Sequence, residues 1–430
     1  MSMRLAGLIG CLMLVAVGVT VQLEGDQGYP QAQNAGRPPR TYPDYDKVTI
    51  PCNIAPLNMV VLEQAERFHF RISGKQGKAI VKVSGRGVIR IPSRPWRQLL
   101  EANRGQQIRI EILVRSGGRW SSFEPLELTV ADAPIDRYIV YRAMHPTHQH
   151  VASPMKIICR DLSTFTQWPI MDGSMLDNAC INCHSFPANR PEQMLLGVRS
   201  NRYGVATLVS GPAGIQKIGA KFGYTAWHPD GQLAVYSINN LPMFYHAARQ
   251  EPRDTVDLDS MIAYYRPESG QAGPIPALAE KTELETWPAW SADGRYLYYC
   301  TARKAWPDKT EVPPPGYDQL MYDLMRIYYD PNIDTWGKPE VILTAKDLGR
   351  SIGIPRCSPN GRWVSFCGFG YGFFPAWQDD SDIYLLDVSS GKHRLLIADP
   401  KAQSWHSWSS NSRFLVFSSK AVDGPFTRIR

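Results

Sequence analysis

Several common catalytic and ligand-binding motifs are absent from the 430 residues of this chain. It has no P-loop, no G-x-G-x-x-G after a strand pattern and no EF-hand loop, which are the usual signatures of phosphate, dinucleotide and calcium sites. It also lacks a G-x-S-x-G elbow and an α/β segment that could hold a hydrolase triad. The formal net charge of +7 is spread without basic runs. We therefore expect neither nucleic-acid binding nor hydrolysis.

The sequence also lacks a disulfide framework. Of its 8 cysteines, Cys11 lies in an N-terminal apolar segment, and Cys180 and Cys183 belong to a motif of their own. The remaining five are an odd number in a large chain, so no bridge can be assigned from spacing.

That motif is Cys180-Ile181-Asn182-Cys183-His184, a C-x-x-C-H segment. Two thiols at this spacing can add to the two vinyl groups of one porphyrin, and the adjoining imidazole then ligates the iron. The pattern predicts one covalently bound haem c, held by Cys180 and Cys183 with His184 as the proximal iron ligand. A zinc half-site or a redox thiol pair are the alternatives. No second C-x-x-C follows for zinc, and no βαβ pattern flanks the motif.

The N-terminus indicates export. Residues 5–21 form an uncharged apolar run after Arg4, which is typical of a signal peptide or a short membrane anchor within residues 1–22. The run is at the lower limit for spanning a bilayer, so cleavage and retention both stay open. We expect a periplasmic or envelope location, with membrane contact only through this segment if it is retained.

Two domains are predicted after this segment. Residues 23–45 are poor in apolar side chains and read as a flexible linker. Short alternating strands over residues 46–135 predict an antiparallel β-sandwich. Residues 136–430 contain a repeated hairpin. Each copy starts with Trp or Cys, continues with Ser or His, any residue, Asp or Asn, and Gly or Ser, and then leads into a strand of alternating apolar and small residues. Its four clear copies begin at Trp227, Trp290, Cys357 and Trp408. The spacing predicts a β-propeller of five to six four-stranded blades.

The hairpins resemble the repeats of the TolB-like family of β-propellers. One exported branch of that family has an N-terminal β-domain and a single C-x-x-C-H-S-F segment. This chain resembles that branch in four segments, which are residues 51–58, 159–162, 180–186 and 406–413. The resemblance covers about residues 46–428. It implies an envelope-located, haem-bearing propeller and leaves the partners undefined.

The last repeat departs from this pattern because the chain ends at Arg430, where such proteins continue through outer strands. We predict that Tyr138–Tyr141 and Met155–Cys159 supply strands to the last blade and so close the ring.

Several residues are candidates for the distal iron ligand. Met155 precedes the motif and matches a methionine position of the resembling family, and thioether ligation would raise the haem potential. Met171 and Met175 are alternatives, as are histidines in a loop at residues 145–150 and beside two blade tryptophans, His228 and His406.

Two functions follow from these expectations. The first is an electron carrier, or a docking protein for a redox or envelope partner, with the haem as the transfer point. The second is an interaction scaffold in which haem is structural or absent, since propellers bind partners at their channel mouths. A haem peroxidase is a weaker alternative, because no distal Arg–His pair can be placed.

Overall fold

The computed structural model describes residues 30–145, 154–212, 214–220, 222–423 and 426–430. The predicted leader at residues 1–22 lies outside these ranges, as do His148 and His150 of the histidine loop. The described chain is all-β with two short helices, which confirms the predicted fold class. No helix within it combines the length and the apolar character that crossing a membrane requires.

The N-terminal domain is a β-sandwich with one helix. Its elements are β1 (Gln33–Asn34), β2 (Thr41–Tyr42), β3 (Thr49–Ile50), β4 (Met59–Val61), β5 (Arg67–Gly74), β6 (Ile80–Ser84), β7 (Val88–Ile89), α1 (Ser93–Ala102), β8 (Gln107–Ser116), β9 (Arg119–Ser122) and β10 (Leu126–Val130). A seven-stranded sheet has the order β1-β9-β8-β10-β3, with β5 and β6 attached beside β8, and a second sheet has the order β2-β4-β7. Both sheets and α1 contribute to one buried apolar core. Two short pairs, β1–β9 and β3–β10, are parallel rather than antiparallel.

The described part of the predicted linker, residues 30–45, differs from a flexible tether. It contains β1 and β2, which pair with strands of the sandwich. Arg37 also forms an ion pair of 2.8 Å with Glu63. The low apolar content of this segment therefore reflects edge strands that add to an existing sheet by backbone hydrogen bonds.

The rest of the described chain forms six blade-like sheets. Their elements are β11 (Tyr138–Ala143), β12 (Lys156–Asp161), β13 (Gln167–Asp172), β14 (Cys180–Ser185), β15 (Met194–Ser200), β16 (Gly204–Gly211), β17 (Gly214–Ile218), β18 (Thr225–Trp227), β19 (Ala234–Asn240), β20 (Met243–Tyr245), β21 (Arg253–Thr255), β22 (Asp259–Tyr265), β23 (Ala272–Pro274), β24 (Glu283–Trp290), β25 (Tyr296–Arg303), β26 (Asp323–Asp330), β27 (Thr335–Leu343), α2 (Ala345–Leu348), β28 (Ser351–Cys357), β29 (Trp363–Phe369), β30 (Asp382–Asp387), β31 (His393–Ile397), β32 (Gln403–Trp408), β33 (Leu415–Asp423) and β34 (Phe426–Ile429).

Four of these sheets are four-stranded: β14–β17, β18-β19-β22-β23, β24–β27 and β28–β31. Two are three-stranded, β11–β13 and β32–β34, and a separate hairpin, β20–β21, is inserted between β19 and β22. Successive sheets contact one another through their first strands: β14, β18, β24, β28 and β32. These strands line the axis of the propeller, and we call them inner strands.

The repeated hairpins form the predicted tight turns between inner and second strands. The turn position that follows Asp or Asn has a positive φ, which is +80° at Gly231, +72° at Gly294 and +71° at Gly361. Glycine adopts this conformation without a steric penalty. The fourth copy holds Ser412 at +60° in the same place.

In the part of the chain that the structure describes, the sheet β11–β13 has no inner strand, and we call it the incomplete blade. Ser410 N and Asn411 Nδ2, in the turn after β32, donate hydrogen bonds to Asp136 Oδ2 (2.7 Å) and Pro134 O (2.6 Å). β11 therefore starts on the side of the propeller where the inner strands finish. It runs in the same direction as the second strand of a complete blade. β13 is mostly exposed and leads into β14, as outer strands do in the other blades. Within the described residues, one edge of β11 has no paired strand.

The predicted strand contribution to the last blade is wrong. β11 and β12 pair with each other and with β13, not with β33 or β34. The last blade takes its third strand from β34, within the final residues of the chain. Closure between the last and the incomplete blade depends on the turn hydrogen bonds to Pro134 and Asp136, which no local sequence pattern reveals.

Candidate haem-binding site

The C-x-x-C-H motif lies on β14, the inner strand next to the incomplete blade. The pairing of β14 with β15 skips two residues between Asn182 and Ser185. The inner strands of three other blades skip two residues at the same place. The first skipped residue has a positive φ in all four strands: Cys183 (55°), Trp287 (57°), Ile354 (51°) and Trp405 (41°). The bulge therefore places Cys183 in the position that large apolar side chains occupy elsewhere.

This position faces the propeller axis. The ring of Tyr224, which precedes β18, stacks on Trp287 with centroids 3.6 Å apart. Trp287 in turn meets the ring of Trp405 at 5.3 Å. Burial raises the pKa of Tyr224 well above its usual range, and the neighbouring Cys183 thiol adds to this rise. Cys183 therefore lies at the edge of an aromatic cluster on the axis.

Cys180 points to a different environment. It is buried in a core cluster between the incomplete blade and β14, together with Met155 and Val198. Its sulfur accepts a hydrogen bond from Asn182 Nδ2 at 3.5 Å. No disulfide joins Cys180 to Cys183. The structure thus brings the predicted distal ligand, Met155, into the same cluster as the first motif cysteine.

The second skipped residue of β14 is His184. Its Nε2 lies 3.3 Å from the carbonyl oxygen of Val140 on the unpaired edge of β11. Burial is the main reason that the pKa of His184 falls to about 4; the hydrogen bond to Val140 O opposes this shift, and the positive charge of Arg142 contributes to it. The imidazole is neutral at physiological pH, which is the form that ligates metals.

The missing inner strand shapes the surroundings of the motif. In the other blades an inner strand covers the edge of the second strand, whereas the edge of β11 faces His184 directly. Arg142 on β11 acts on both His184 and Tyr224, so its charge lies near the axis. Within the described residues, the C-x-x-C-H segment therefore lies next to a position that no inner strand occupies, with the Arg142 guanidinium nearby.

The other candidate ligands lie elsewhere or are engaged. Met171 packs against the Cys180 cluster, whereas Met175 is 75% exposed. His228 Nε2 lies 3.1 Å from Gly294 O, which ties one hairpin to the next. His406 is buried beside Cys367, with Nδ1 and Sγ 3.8 Å apart. In the described residues no group of three His, Cys, Asp or Glu side chains is arranged to hold a metal ion.

The donor set is compatible with one covalent c-type haem. It offers two cysteines at the required sequence spacing, a neutral imidazole adjacent to the second and a buried thioether near the first. Arg142 could pair with a propionate. Iron ligation would require His184 Nε2 to exchange its contact with Val140 O for the metal.

Comparison with known proteins gives a fold likeness only. No family model matches the sequence, and no curated protein matches it. Among solved structures, TolB from Acinetobacter baumannii is 11% identical, with 79% of this chain and 82% of that chain covered and a TM-score of 0.43. A putative TolB from Agrobacterium tumefaciens is 16% identical, with coverages of 62% and 94% and a TM-score of 0.31. An oligogalacturonate lyase from Vibrio parahaemolyticus is 10% identical, with coverages of 68% and 85% and a TM-score of 0.38. At these values the likeness carries no argument about function, and the propeller is assigned from its own strand pairing.

Proposed function

We propose that this protein carries one covalent haem c at Cys180, Cys183 and His184, and that it transfers electrons to or from a partner protein at the cell envelope. The observation that supports this most is the bulge of β14 beside the incomplete blade, which places Cys183 and His184 where the other bulges hold Trp, Ile and Pro side chains and one His. Of the two described inner strands that border the incomplete blade, β14 carries two cysteines and β32 carries none.

The residues of the chain have separate roles in this proposal. The Cys180 and Cys183 thiols would form two thioether bonds, and His184 would supply the proximal nitrogen. Met155, which shares a buried cluster with Cys180, would be the candidate for a second iron ligand. The haem would supply reversible one-electron chemistry, with a potential that depends on the axial ligands and on burial.

The propeller provides rigidity around this site. β14 and the neighbouring inner strand β18 are fixed by sheet pairing, and the axis next to Cys183 is filled by stacked aromatic rings. A redox centre held this way loses little energy to rearrangement when its charge changes. A partner would dock at the face of the ring nearest to the incomplete blade.

Covalent attachment can be tested with three single variants made in a strain that matures c-type cytochromes. Cys180→Ala and Cys183→Ala should each lose one thioether bond, which shifts the pyridine haemochrome maximum, and the double variant should contain no covalent haem. His184→Ala should lose the low-spin spectrum.

Cys357→Ser is the matched control, because Cys357 is a cysteine on another inner strand, β28, outside the C-x-x-C-H segment. It should keep the parental haem content and spectrum. A parent protein without a chromophore after maturation would overturn the proposal and leave an interaction scaffold as the function to pursue.

A further inference from the structure

The smaller sheet of the sandwich, β2-β4-β7, carries apolar side chains on both of its faces. Along β4 and the residue after it, Met59 and Val61 point into the core, whereas the alternating Val60 and Leu62 are 38% and 52% exposed. The outer face of an antiparallel sheet at a protein surface commonly carries polar side chains. The outer face of this sheet therefore differs from one that only meets water.

Backbone pairing aligns exposed apolar side chains across this face. Tyr42 on β2 lies opposite Val60 on β4, and Val60 lies opposite Val88 on β7. Tyr42 and Val88 are 45% and 43% exposed. Directly opposite residues have their side chains on the same face, with Cβ atoms about 5 Å apart. Leu62, two residues after Val60, shares this face. We call Tyr42, Val60, Leu62 and Val88 the apolar row.

Exposed arginines border the apolar row. Arg90 lies two residues after Val88, and its side chain is exposed. On the other side, Leu62 N donates to Arg40 O at 2.8 Å. The Arg40 side chain is 65% exposed and lies 3.5 Å from Glu63. Aromatic and aliphatic side chains edged by arginine are typical of surfaces that lie in the headgroup region of a bilayer.

The outer face of the larger sheet is different. There Arg71 pairs with Glu111 at 3.7 Å, and Arg109 pairs with Glu127 at 3.0 Å. Cations on that face are balanced by neighbouring carboxylates, which suits contact with water. Of the two outer faces, the one with the apolar row is the better docking surface.

Although the sequence has no basic run, its excess positive charge lies in the sandwich. Residues 30–135 contain 16 Lys and Arg against 9 Asp and Glu, whereas residues 136–430 contain 30 against 29. A domain with this charge is attracted to a surface of anionic lipids.

The N-terminal segment also favours a membrane as the occupant. Residues 22–29 join the apolar run at residues 5–21 to the described chain, and eight extended residues span at most about 30 Å. The chain then reaches the apolar row, because Arg37 pairs at 2.8 Å with Glu63, the residue after Leu62. A retained anchor would hold this sheet near the bilayer.

We propose that the apolar row binds the surface of a bilayer that contains anionic lipids. Tyr42 and Leu62 enter the headgroup region, and the Arg40 and Arg90 guanidinium groups pair with lipid phosphates. This contact adds to any contact through the N-terminal segment and does not depend on haem.

Hydroxyl-radical footprinting of the full matured chain tests the surface. Mass spectrometry measures the labelling of Tyr42 and Leu62 with vesicles of phosphatidylcholine alone and with vesicles that also contain an equal amount of phosphatidylglycerol. The mixed vesicles should lower the labelling of both residues severalfold, and high salt should weaken this protection because it screens the attraction. Tyr245, which is 62% exposed on β20, is the internal control and should keep its labelling.

Three results would overturn the proposal. The first is unchanged labelling of Tyr42 and Leu62 in the mixed vesicles, and the second is equal protection by both kinds of vesicle. The third is protection that rises with protein concentration in the absence of lipid, which would assign the apolar row to a second copy of the chain.

Matched variants separate the apolar row from the charge of the domain. Val60→Asp should abolish the protection of Tyr42, whereas Val341→Asp, at a valine that is 58% exposed on β27, should keep it. Arg90→Gln keeps the test valid if Val60→Asp does not fold. It should raise the lipid concentration for half-protection about fivefold, and Arg109→Gln, which removes the same charge from the other sheet, should have a smaller effect. Equal effects of the two arginine variants would contradict docking through this face.

Discussion

The inner strand β14 and its counterparts β24, β28 and β32 share one backbone and differ in chemistry. All four bulge at the same place and present one side chain at a positive φ toward the axis. Three of them use that position for Trp or Ile, whereas β14 uses it for Cys183 and follows it with His184. The bulge is thus a means of placing side chains on the axis, and the choice of side chain decides whether a blade contributes apolar packing or reactive groups.

The surroundings of these strands also separate β14 from β24 and β28. β24 and β28 each have another inner strand on both sides, and Trp287 and Ile354 in their bulges are fully buried. β14 borders the incomplete blade, and His184 reaches a backbone carbonyl on the exposed edge of β11. An unpaired strand edge next to reactive side chains is a place where a further group can be accommodated.

The largest effect is expected from removing the apolar side chain of a packing bulge. Trp287 is fully buried, stacks on Tyr224 and donates from Nε1 to Phe373 O at 2.9 Å. Trp287→Ala should lower the free energy of unfolding by about 3–5 kcal/mol, since it opens a large cavity and leaves a carbonyl unpaired. Urea unfolding followed by circular dichroism measures this. Cys183→Ala in haem-free protein should cost about 1 kcal/mol or less; equal losses would contradict the distinction between the two kinds of bulge.

A smaller effect is expected at His406, which occupies the His184 position of the last blade. Burial is the main reason that its pKa falls from 6.5 to about 3. The folded state therefore keeps His406 neutral, while the unfolded state takes up a proton below pH 6.5. Its contribution to stability is complete above pH 6.5 and is lost as the pH falls toward 3.

His406→Gln should consequently flatten the decline of the melting temperature between pH 6.5 and 4, even if it lowers stability at neutral pH. The measurement is a series of thermal melts of parent and variant across this range. Parallel pH curves for the two proteins would mean that His406 is already accessible to protons in the folded state.

The smallest change in stability, with a sharp spectral readout, is expected from Met155→Leu. Met155 is 4% exposed and lies in the Cys180 cluster. The substitution nearly conserves volume and should cost less than about 1.5 kcal/mol. If Met155 is the distal ligand, the weak far-red sulfur-to-iron absorption band of the oxidised protein should disappear. Met171→Leu is the control and should retain the band; loss of the band in Met171→Leu alone would move the ligand assignment to that residue.

The sequence predicts much of the propeller because its blades repeat a local signal. The turns at Gly231, Gly294 and Gly361 need a left-handed backbone conformation, and a glycine after Asp or Asn indicates it in the sequence. The C-x-x-C-H segment is equally local. Both features can therefore be recognised from short stretches of chain.

The remaining features depend on residues far apart in the chain. The bulge at Cys183 carries no signal of its own, although its position three residues before Phe186 matches that of Trp287 before Trp290. The incomplete blade was not predicted, because an alternating strand such as β11 looks the same whether or not an inner strand covers its edge.

The most direct test of the haem proposal is the intact mass of the matured full chain, measured under denaturing conditions. The account predicts the polypeptide mass plus one haem, with the added mass confined to the proteolytic peptide that contains Cys180 and Cys183. A mass equal to that of the polypeptide alone, in a host that matures other c-type cytochromes, would contradict it.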